Sequence, residues 1–379
     1  MTVYILIFVS LMLLSFAELF SVKKKKIKFF WGTPVIVTFL VLTTIRGGTK
    51  GDYVTYKETY MYMVNTSTLW VKENFHYEPL YSLLQWGCKK VIDDFQFFLF
   101  VIGAIVIFLE HRFAMSFAIR GNGCSQKINI ERTGRYYFTV FFALWGLYLA
   151  NIFVTRNTIS LIICFYSLKF IQEKKFKKYL LCVVIAIGFH YSAIVFLPAY
   201  FIFWCGTKLI TKVNLFISGS VFLSISIRPI ALIAANILGG RTEVKIKRYL
   251  NATDFMFATG MNESSATILL IKAILNIGIL LIVGIYFWKF NKNDKFYEGC
   301  LNLYIVGCIL HIATLTVGHA FARLSIYYNI FQIPILIYAI KENAKANDNR
   351  KVYWMLLVLY IMVRFVVNNI GTPFVAYWQ

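Results

Sequence analysis

The sequence predicts an all-α, polytopic integral membrane protein with about twelve transmembrane helices and two long outward-facing loops. Three observations carry that reading. The chain is 59% hydrophobic and only 15% charged, whereas soluble chains run about 45–50% apolar and about 25% charged. Apolar runs near the length of about 20 residues needed to cross a bilayer recur from end to end. The basic residues gather in alternate loops, as they do when cytoplasmic loops retain Lys and Arg. This composition excludes a soluble enzyme, a disordered chain and a secreted disulfide scaffold.

The expected spans, in chain order, are Thr2–Val22, Phe29–Ile45, Phe95–Leu109, Tyr136–Phe153, Thr158–Ile171, Tyr179–Phe189, Tyr191–Trp204, Val213–Ile227, Ala266–Trp288, Cys300–Val317, Phe321–Ile340 and Val352–Ile370. The stretch Tyr179–Trp204 reads either as one long tilted helix or as two half-helices broken near His190. The first run has no basic segment before it and lysines after it, so it is expected to be a retained helix rather than a signal peptide. No short repeat or separate soluble domain is evident, so residues 1–379 read as a single polytopic membrane domain.

An outside N-terminus places 24 of the 39 basic residues in inner loops or at their edges, 13 outside, and two, Lys272 and Arg364, within spans. The positive-inside rule favours this orientation, with both termini outside. The net charge of +22 is then mostly a topology signal and needs no nucleic acid. Of the seven cysteines only Cys88 falls in an expected outer loop, and no CxxC spacing occurs, so neither an outer disulfide nor a metal site is expected.

The outer loops run Arg46–Asp94 and Arg228–Ser265. Loops of this length are commonly functional. The first carries Arg46, then Gly51-Asp52-Tyr53 with Tyr56, then Tyr77-Glu78-Pro79-Leu80-Tyr81; residues from Leu80 to Val91 have the pattern of an interfacial amphipathic helix. Arg156, His190, His319 and Arg323 fall at span junctions on the same side. Lys272, His311 and Arg364 sit about six residues inside the outer ends of their helices, about 9 Å deep. Lys272 and Arg364 could snorkel, and histidines in spans commonly bond neighbouring helices. Their shared sidedness instead points to a polar cavity opening outward.

Guanidinium groups suit phosphate, because their planar fork donates paired hydrogen bonds. The outer side supplies Arg46, Arg156, Arg241, Arg248 and Arg323. Asp52 and Glu78 are candidate acids, His190 is a candidate base, and Tyr53, Tyr56, Tyr77 and Tyr81 could stack on sugars. Arginines beside acids and aromatics at a membrane surface fit a lipid-linked phosphosugar. No DxD motif and no GxxxxGK[ST] loop is present, so an ATP-driven pump is disfavoured, a metal-independent transferase is allowed, and no cofactor is expected.

On these residues the chain resembles the EpsG-like, Wzy-type bacterial polysaccharide polymerases. The matching features are Arg46…Gly51-Asp52-Tyr53…Tyr56, then Glu78…Tyr81, and Arg156 opening a helix. The most specific is Gly188-Phe189-His190-Tyr191-Ser192-Ala193 followed by Leu197-Pro198-Ala199-Tyr200; Arg323 with Tyr327 and Tyr328 matches a late Arg–Tyr segment. The resemblance implies joining of undecaprenyl-diphosphate-linked oligosaccharide repeat units on the outer face of the bacterial plasma membrane, with release of undecaprenyl diphosphate. A chain-length regulator protein is a further implied partner. Arg156 and Arg323, with Arg46 or Arg241, are expected to bind the diphosphate. His190 or Asp52 is expected to act as the base, and Glu78 to orient an acceptor hydroxyl. Tyr53, Tyr56, Tyr81 and Lys272 are expected to touch substrate.

Two other functions fit the same composition. A related lipid-linked glycosyltransferase or glycan ligase would share the outward polar loops. A transporter or flippase for the lipid-linked unit would show repeats and midplane binding residues, whereas here the polar residues gather on one side. A membrane acyltransferase using His190 and His311 is a weaker fit.

Overall fold

The computed structural model describes residues 2–20, 33–47, 52–63, 78–120, 137–152, 155–240, 280–289, 294–314, 323–338 and 350–369, with 243, 244, 247 and 278 as single positions. The described residues are helical, and no β-strand forms among them. Two compact units are formed, one from Met1–Ile194 with Ile340–Gln379 and the other from Val195–Ala339.

The first unit contains α1 (Thr2–Phe20), α2 (Thr33–Thr44), α3 (Asp52–Tyr62), α4 (Pro79–Val91), α5 (Phe95–Arg120), α6 (Tyr137–Ile152), α7 (Thr155–Gln172) and α8 (Phe176–Phe189), joined by the C-terminal helix Arg350–Asn369. Its core follows the rules of packing in lipid, where small residues let helices approach. Gly146 of α6 leaves no room for a Cβ beside Ile361, and Gly103 of α5 none beside Thr43 of α2. Phe8 packs between Phe142 and Phe365, with ring centroids 5.1 and 4.6 Å away. Glu18 of α1 supplies a cap to another helix: its carboxylate accepts hydrogen bonds from the Phe138 and Thr139 backbone N–H groups at the start of α6. Those are donors that a helix cannot satisfy internally.

Helices α7 and α8 form an antiparallel hairpin. Lys175 N–H bonds the Phe170 carbonyl and Lys174 N–H that of Ile171, closing α7 with Lys174 at φ 54°. This is the 6→1 and 5→2 pattern of a Schellman ending. Ser160 of α7 donates to the Ala186 carbonyl of α8 at 2.9 Å.

Gly188, near the end of α8, lies against α4. A Cβ there would stand 2.6 Å from Leu80 Cδ1 and 2.7 Å from its Cγ. Gly188→Ala is expected to cost about 1–3 kcal/mol through overpacking and to lower chain-joining activity. Leu80→Ala in the same protein should restore much of both; thermal melting and glycan ladders of the two variants check this.

The helix beginning at Phe176 stops at Phe189. His190 is extended (φ −157°, ψ 120°), a 3-10 helix follows over Tyr191–Phe196, and after Pro198 comes the short helix Ala199–Phe203. The apolar stretch Tyr179–Trp204 is therefore two helical pieces broken at His190, the second of the two readings its sequence allows.

Two helices run further than expected. The expected Phe95–Leu109 span continues to Arg120, which places Glu110 and Arg112 on the helix. The expected Val213–Ile227 span continues to Leu238, so the loop expected from Arg228 begins later. Pro229 lies inside that helix, and its segments Val213–Ser224 and Pro229–Ile237 differ in direction by 54°. A proline lacks the N–H for the helical ladder and bends rather than ends an apolar helix whose sequence continues. Gly239 and Gly240, at φ 61° and 57°, finish it.

Among the described residues, Phe95–Ala114 and Lys295–Thr314 are long and apolar enough to cross a membrane, and the bent pair would make a third. Tyr4–Phe20, Phe138–Leu147, Leu280–Lys289, Ile326–Tyr338 and Trp354–Phe365 are shorter apolar helices. Of the remaining expected spans, Thr158–Ile171 lies within α7, Tyr179–Phe189 and Tyr191–Trp204 correspond to shorter helical pieces, and Phe29–Ile45 and Ala266–Trp288 fall partly outside the described residues.

In the second unit Lys295–Thr314 is the central helix. Its Gly299 accepts the ring of Phe203, and Asn302 Nδ2 donates to the Gly206 carbonyl at 2.8 Å. Near its other end, His311 Nδ1 lies 3.1 Å from Ser325 Oγ. His311 is thus an interhelical hydrogen-bonding residue.

Candidate functional site

The polar centre of the first unit is the Glu78 carboxylate. Pro79 follows it, and a residue before proline is pushed out of the helical region; Glu78 accordingly sits at φ −63°, ψ 149° as the N-cap of α4. Its side chain makes no hydrogen bond to its own helix end. It reaches instead to two other elements, and it is buried, with 3% of the residue exposed.

One carboxylate oxygen, Oε2, accepts a 2.7 Å hydrogen bond from Arg156 Nη1. The other, Oε1, lies 2.7 Å from His190 Nδ1 and accepts the Tyr191 backbone N–H at 3.2 Å. Arg156 belongs to the first turn of α7. A cation there opposes the helix dipole, so the adjoining carboxylate offsets an otherwise unfavourable position. Arg156 Nε donates to the Tyr56 hydroxyl at 3.2 Å, and its guanidinium lies 5.3 Å from the Tyr56 ring centroid and 5.9 Å from that of Tyr81. The group is fixed by ion pairing, hydrogen bonding and cation–π contact together.

The break of α8 at His190 presents the imidazole to Glu78. An ionised carboxylate only accepts hydrogen bonds. The proton between them therefore sits on Nδ1, and Nε2 carries the lone pair of the neutral ring. His190 Nε2 has no partner among the described residues, and 28% of the side chain is exposed. A carboxylate-oriented imidazole with its second nitrogen open is the base half of the logic by which hydroxyls are activated.

Burial pushes the Glu78 pKa up, but the His190 hydrogen bond and the Arg156 charge outweigh it and hold the carboxyl at about 2. Because the folded value lies below the ordinary 4.5, the carboxylate contributes stability that is complete above pH 4.5 and lost as the pH falls toward about 2, about 3 kcal/mol in all. Melting of the detergent-solubilised protein is expected to drop across this interval, and the drop should shrink in Glu78→Gln.

Helix α3 forms the aromatic wall of the cluster. Tyr53, Tyr56, Tyr60 and Met63, at helical spacing, are all buried, packing toward α4 and α5. Tyr60 stacks on Phe98 with centroids 5.4 Å apart, and Tyr53 accepts a hydrogen bond from Gln96 at 3.2 Å. The end of α3 is tied down by Lys89 of α4, a buried lysine that sequence reasoning passed over. Its Nζ donates to the Tyr60 and Met61 carbonyls at 3.0 and 3.1 Å and pairs with Asp93 at 3.3 Å. A cation at a helix C-terminus is the favourable placement.

The expected site residues divide clearly. Glu78, Arg156, His190, Tyr56 and Tyr81 come together. Glu78 has both oxygens engaged by protein groups, Arg156 on one and His190 with the Tyr191 N–H on the other. The rings of Tyr53, Tyr56 and Tyr81 are covered by protein, at 6%, 4% and 0% exposed, so they support the cluster rather than offer open faces to a sugar. Arg46, just before α3, has its guanidinium 5.9 Å from the Tyr53 ring centroid. Asp52 is the first residue of α3 and Arg323 opens a 3-10 helix in the second unit; their side chains lie outside the described residues. So do Arg241, Lys272 and His319 altogether.

An all-helical architecture with membrane-spanning apolar helices, bearing a buried carboxylate shared between an imidazole and a guanidinium, defines a polytopic membrane protein with a preorganised polar site. The sequence profile of the EpsG family matches residues 29–378. The chain belongs to the EpsG family, whose members are polysaccharide-polymerase-like membrane proteins. No curated protein and no solved structure matches it.

Proposed function

We propose that the protein is a metal-independent glycosyltransferase of the polysaccharide polymerase type. It joins oligosaccharide repeat units carried on undecaprenyl diphosphate, at the outer face of the bacterial plasma membrane, with both chain termini on that side. The observation that carries this reading is the 2.7 Å contact between Glu78 Oε1 and His190 Nδ1, which leaves Nε2 as an open base.

In the proposed reaction an acceptor sugar hydroxyl attacks the anomeric carbon of the donor. The new C–O bond forms as the bond from that carbon to the diphosphate oxygen breaks, and undecaprenyl diphosphate leaves with the bonding electrons. His190 Nε2 takes the hydroxyl proton, a step that contributes about 10²–10⁴-fold. Arg156, with Arg323, Arg46 and Arg241 as further candidates, meets the charge that develops on the leaving group. Asp52 is the alternative base, and Lys272 a further substrate contact. A chain-length regulator is the expected protein partner.

Purified protein given lipid-linked repeat units, without nucleotide or ion gradient, is expected to build a ladder of lipid-linked polymer. Movement of the units across the vesicle membrane without new glycosidic bonds would identify a transporter instead. Long lipid-linked polymer made normally in a deletion strain, but not attached to its final acceptor, would identify a ligase.

A further inference from the structure

A second polar feature of the first unit lies apart from the Glu78 cluster. A cavity of about 210 Å³ opens among α1, α2, α5 and α6. Ile7, Leu11, Phe39, Phe141 and Leu144 give it apolar walls, and Glu110 projects into them. Glu110 is 4% exposed and makes no hydrogen bond or ion pair among the described residues. Arg112, close by on the same helix, lies over the Phe108 ring at 5.7 Å instead. A lone buried carboxyl without donor or cation is costly, and the cavity beside it is the place from which a partner can come.

The lining constrains that partner. Trp145 borders the cavity, and its indole Nε1–H is buried with no hydrogen-bond acceptor among the described residues. The cavity thus sets an unpaired donor and an unpaired carboxyl in one apolar space. The Ser10 and Thr38 hydroxyls donate to their own helices, at 2.8 and 2.7 Å, and can still accept. Ser10, Pro34 and Thr38 are the exposed part of the lining, so the opening lies between α1 and α2. Leu6, Leu13, Val37 and Val41 are exposed on those same two helices, surface suited to acyl chains. Glu110 stands four residues before the end of the apolar stretch Phe95–Ala114, about 6 Å along the axis, nearer the end of that stretch than its middle.

We propose that this cavity binds the headgroup of a membrane lipid carrying a primary ammonium, with Glu110 as the counter-ion and Trp145 Nε1 donating to a phosphate or ester oxygen. The ammonium supplies the cation and donors that Glu110 lacks among the described residues, in a space bordered by Phe39, Phe141 and Trp145. The acyl chains lie along the exposed apolar residues of α1 and α2. The site is separate in residues from the Glu78 cluster and does not depend on the proposed chain-joining reaction.

Native mass spectrometry of the full chain in mixed micelles tests it, with phosphatidylethanolamine, phosphatidylglycerol and phosphatidylcholine in equal amounts. The wild type is expected to retain phosphatidylethanolamine over the other two by roughly tenfold, the size of one good ion pair. Glu110→Gln should erase the preference, and Thr38→Phe, which fills the opening but keeps Glu110, should lower retention of all bound lipid at this site. Equal retention of the three lipids by the wild type, or an unchanged preference in Glu110→Gln, would overturn the proposal. If Glu110→Gln fails to fold, an unchanged preference in Thr38→Phe overturns it equally.

Discussion

Replacing His190 with alanine is expected to abolish polymer growth while leaving the protein at normal abundance. The imidazole is more than a quarter exposed and its Nδ1 is its only bonded nitrogen among the described residues, so its loss removes little packing. What is lost is the open Nε2, worth about 10²–10⁴-fold if it takes the acceptor proton. Cells carrying His190→Ala should accumulate single lipid-linked repeat units. In vitro the variant should bind those units as the wild type does, with the deficit in turnover. A normal ladder from His190→Ala at normal abundance would remove the imidazole from the reaction and make Asp52 the base to test next.

Changes at Glu78 should have two separable consequences. Glu78→Ala leaves the Arg156 guanidinium, only 22% exposed, without its anion. Breaking a buried pair from one side costs about 3–5 kcal/mol, and since Arg156 retains some solvent the lower end applies. Glu78→Gln preserves the volume but can present a donor to Nδ1, which would turn the lone pair of His190 inward. Activity should then fall about as far as in His190→Ala, with a smaller loss of melting temperature. The distinguishing readout is turnover set against melting temperature. Glu78→Gln should lose turnover out of proportion to its melting temperature, because an amide no longer holds the proton on Nδ1, whereas Gly188→Ala should lose the two together through packing. A Glu78→Gln variant that keeps its turnover would reduce Glu78 to a scaffold for Arg156.

Much of the architecture was legible in the sequence, because lipid enforces simple rules. Backbone groups in a membrane must be paired internally, so apolar runs become helices, and those starting near Thr2, Thr33, Phe95, Tyr137 and Val213 do. Extents were harder to read. Charged residues such as Glu110 and Arg112 look like loop, yet the helical ladder continues through them, and Pro229 looks like a stop in a helix that only bends. Arg156 and His190 were legible as polar residues at span ends, and Glu78 as one in the first outer loop. Their partnership was not, because 78 and 112 positions of chain separate Glu78 from the other two. The close approach of Leu80 to Gly188 brings them together, and no local pattern reports such a contact. The tyrosines show a pattern that was legible but read differently. Their chemistry suggested sugar stacking, but the spacing of Tyr53, Tyr56 and Tyr60 is that of a buried helical face.

The sharing of one carboxylate by Arg156 and His190 fixes the charge balance of the site. With the imidazole neutral, one anion and one cation cancel and the cluster has no net charge. Arrival of a proton on Nε2 makes it plus one. In the proposed reaction an anion would therefore feel little pull from these three residues before the hydroxyl gives up its proton, and a definite pull at the moment a diphosphate begins to depart. When the proton leaves again the attraction would lapse, so the same carboxylate that prepares the base would also keep the released diphosphate from being held there.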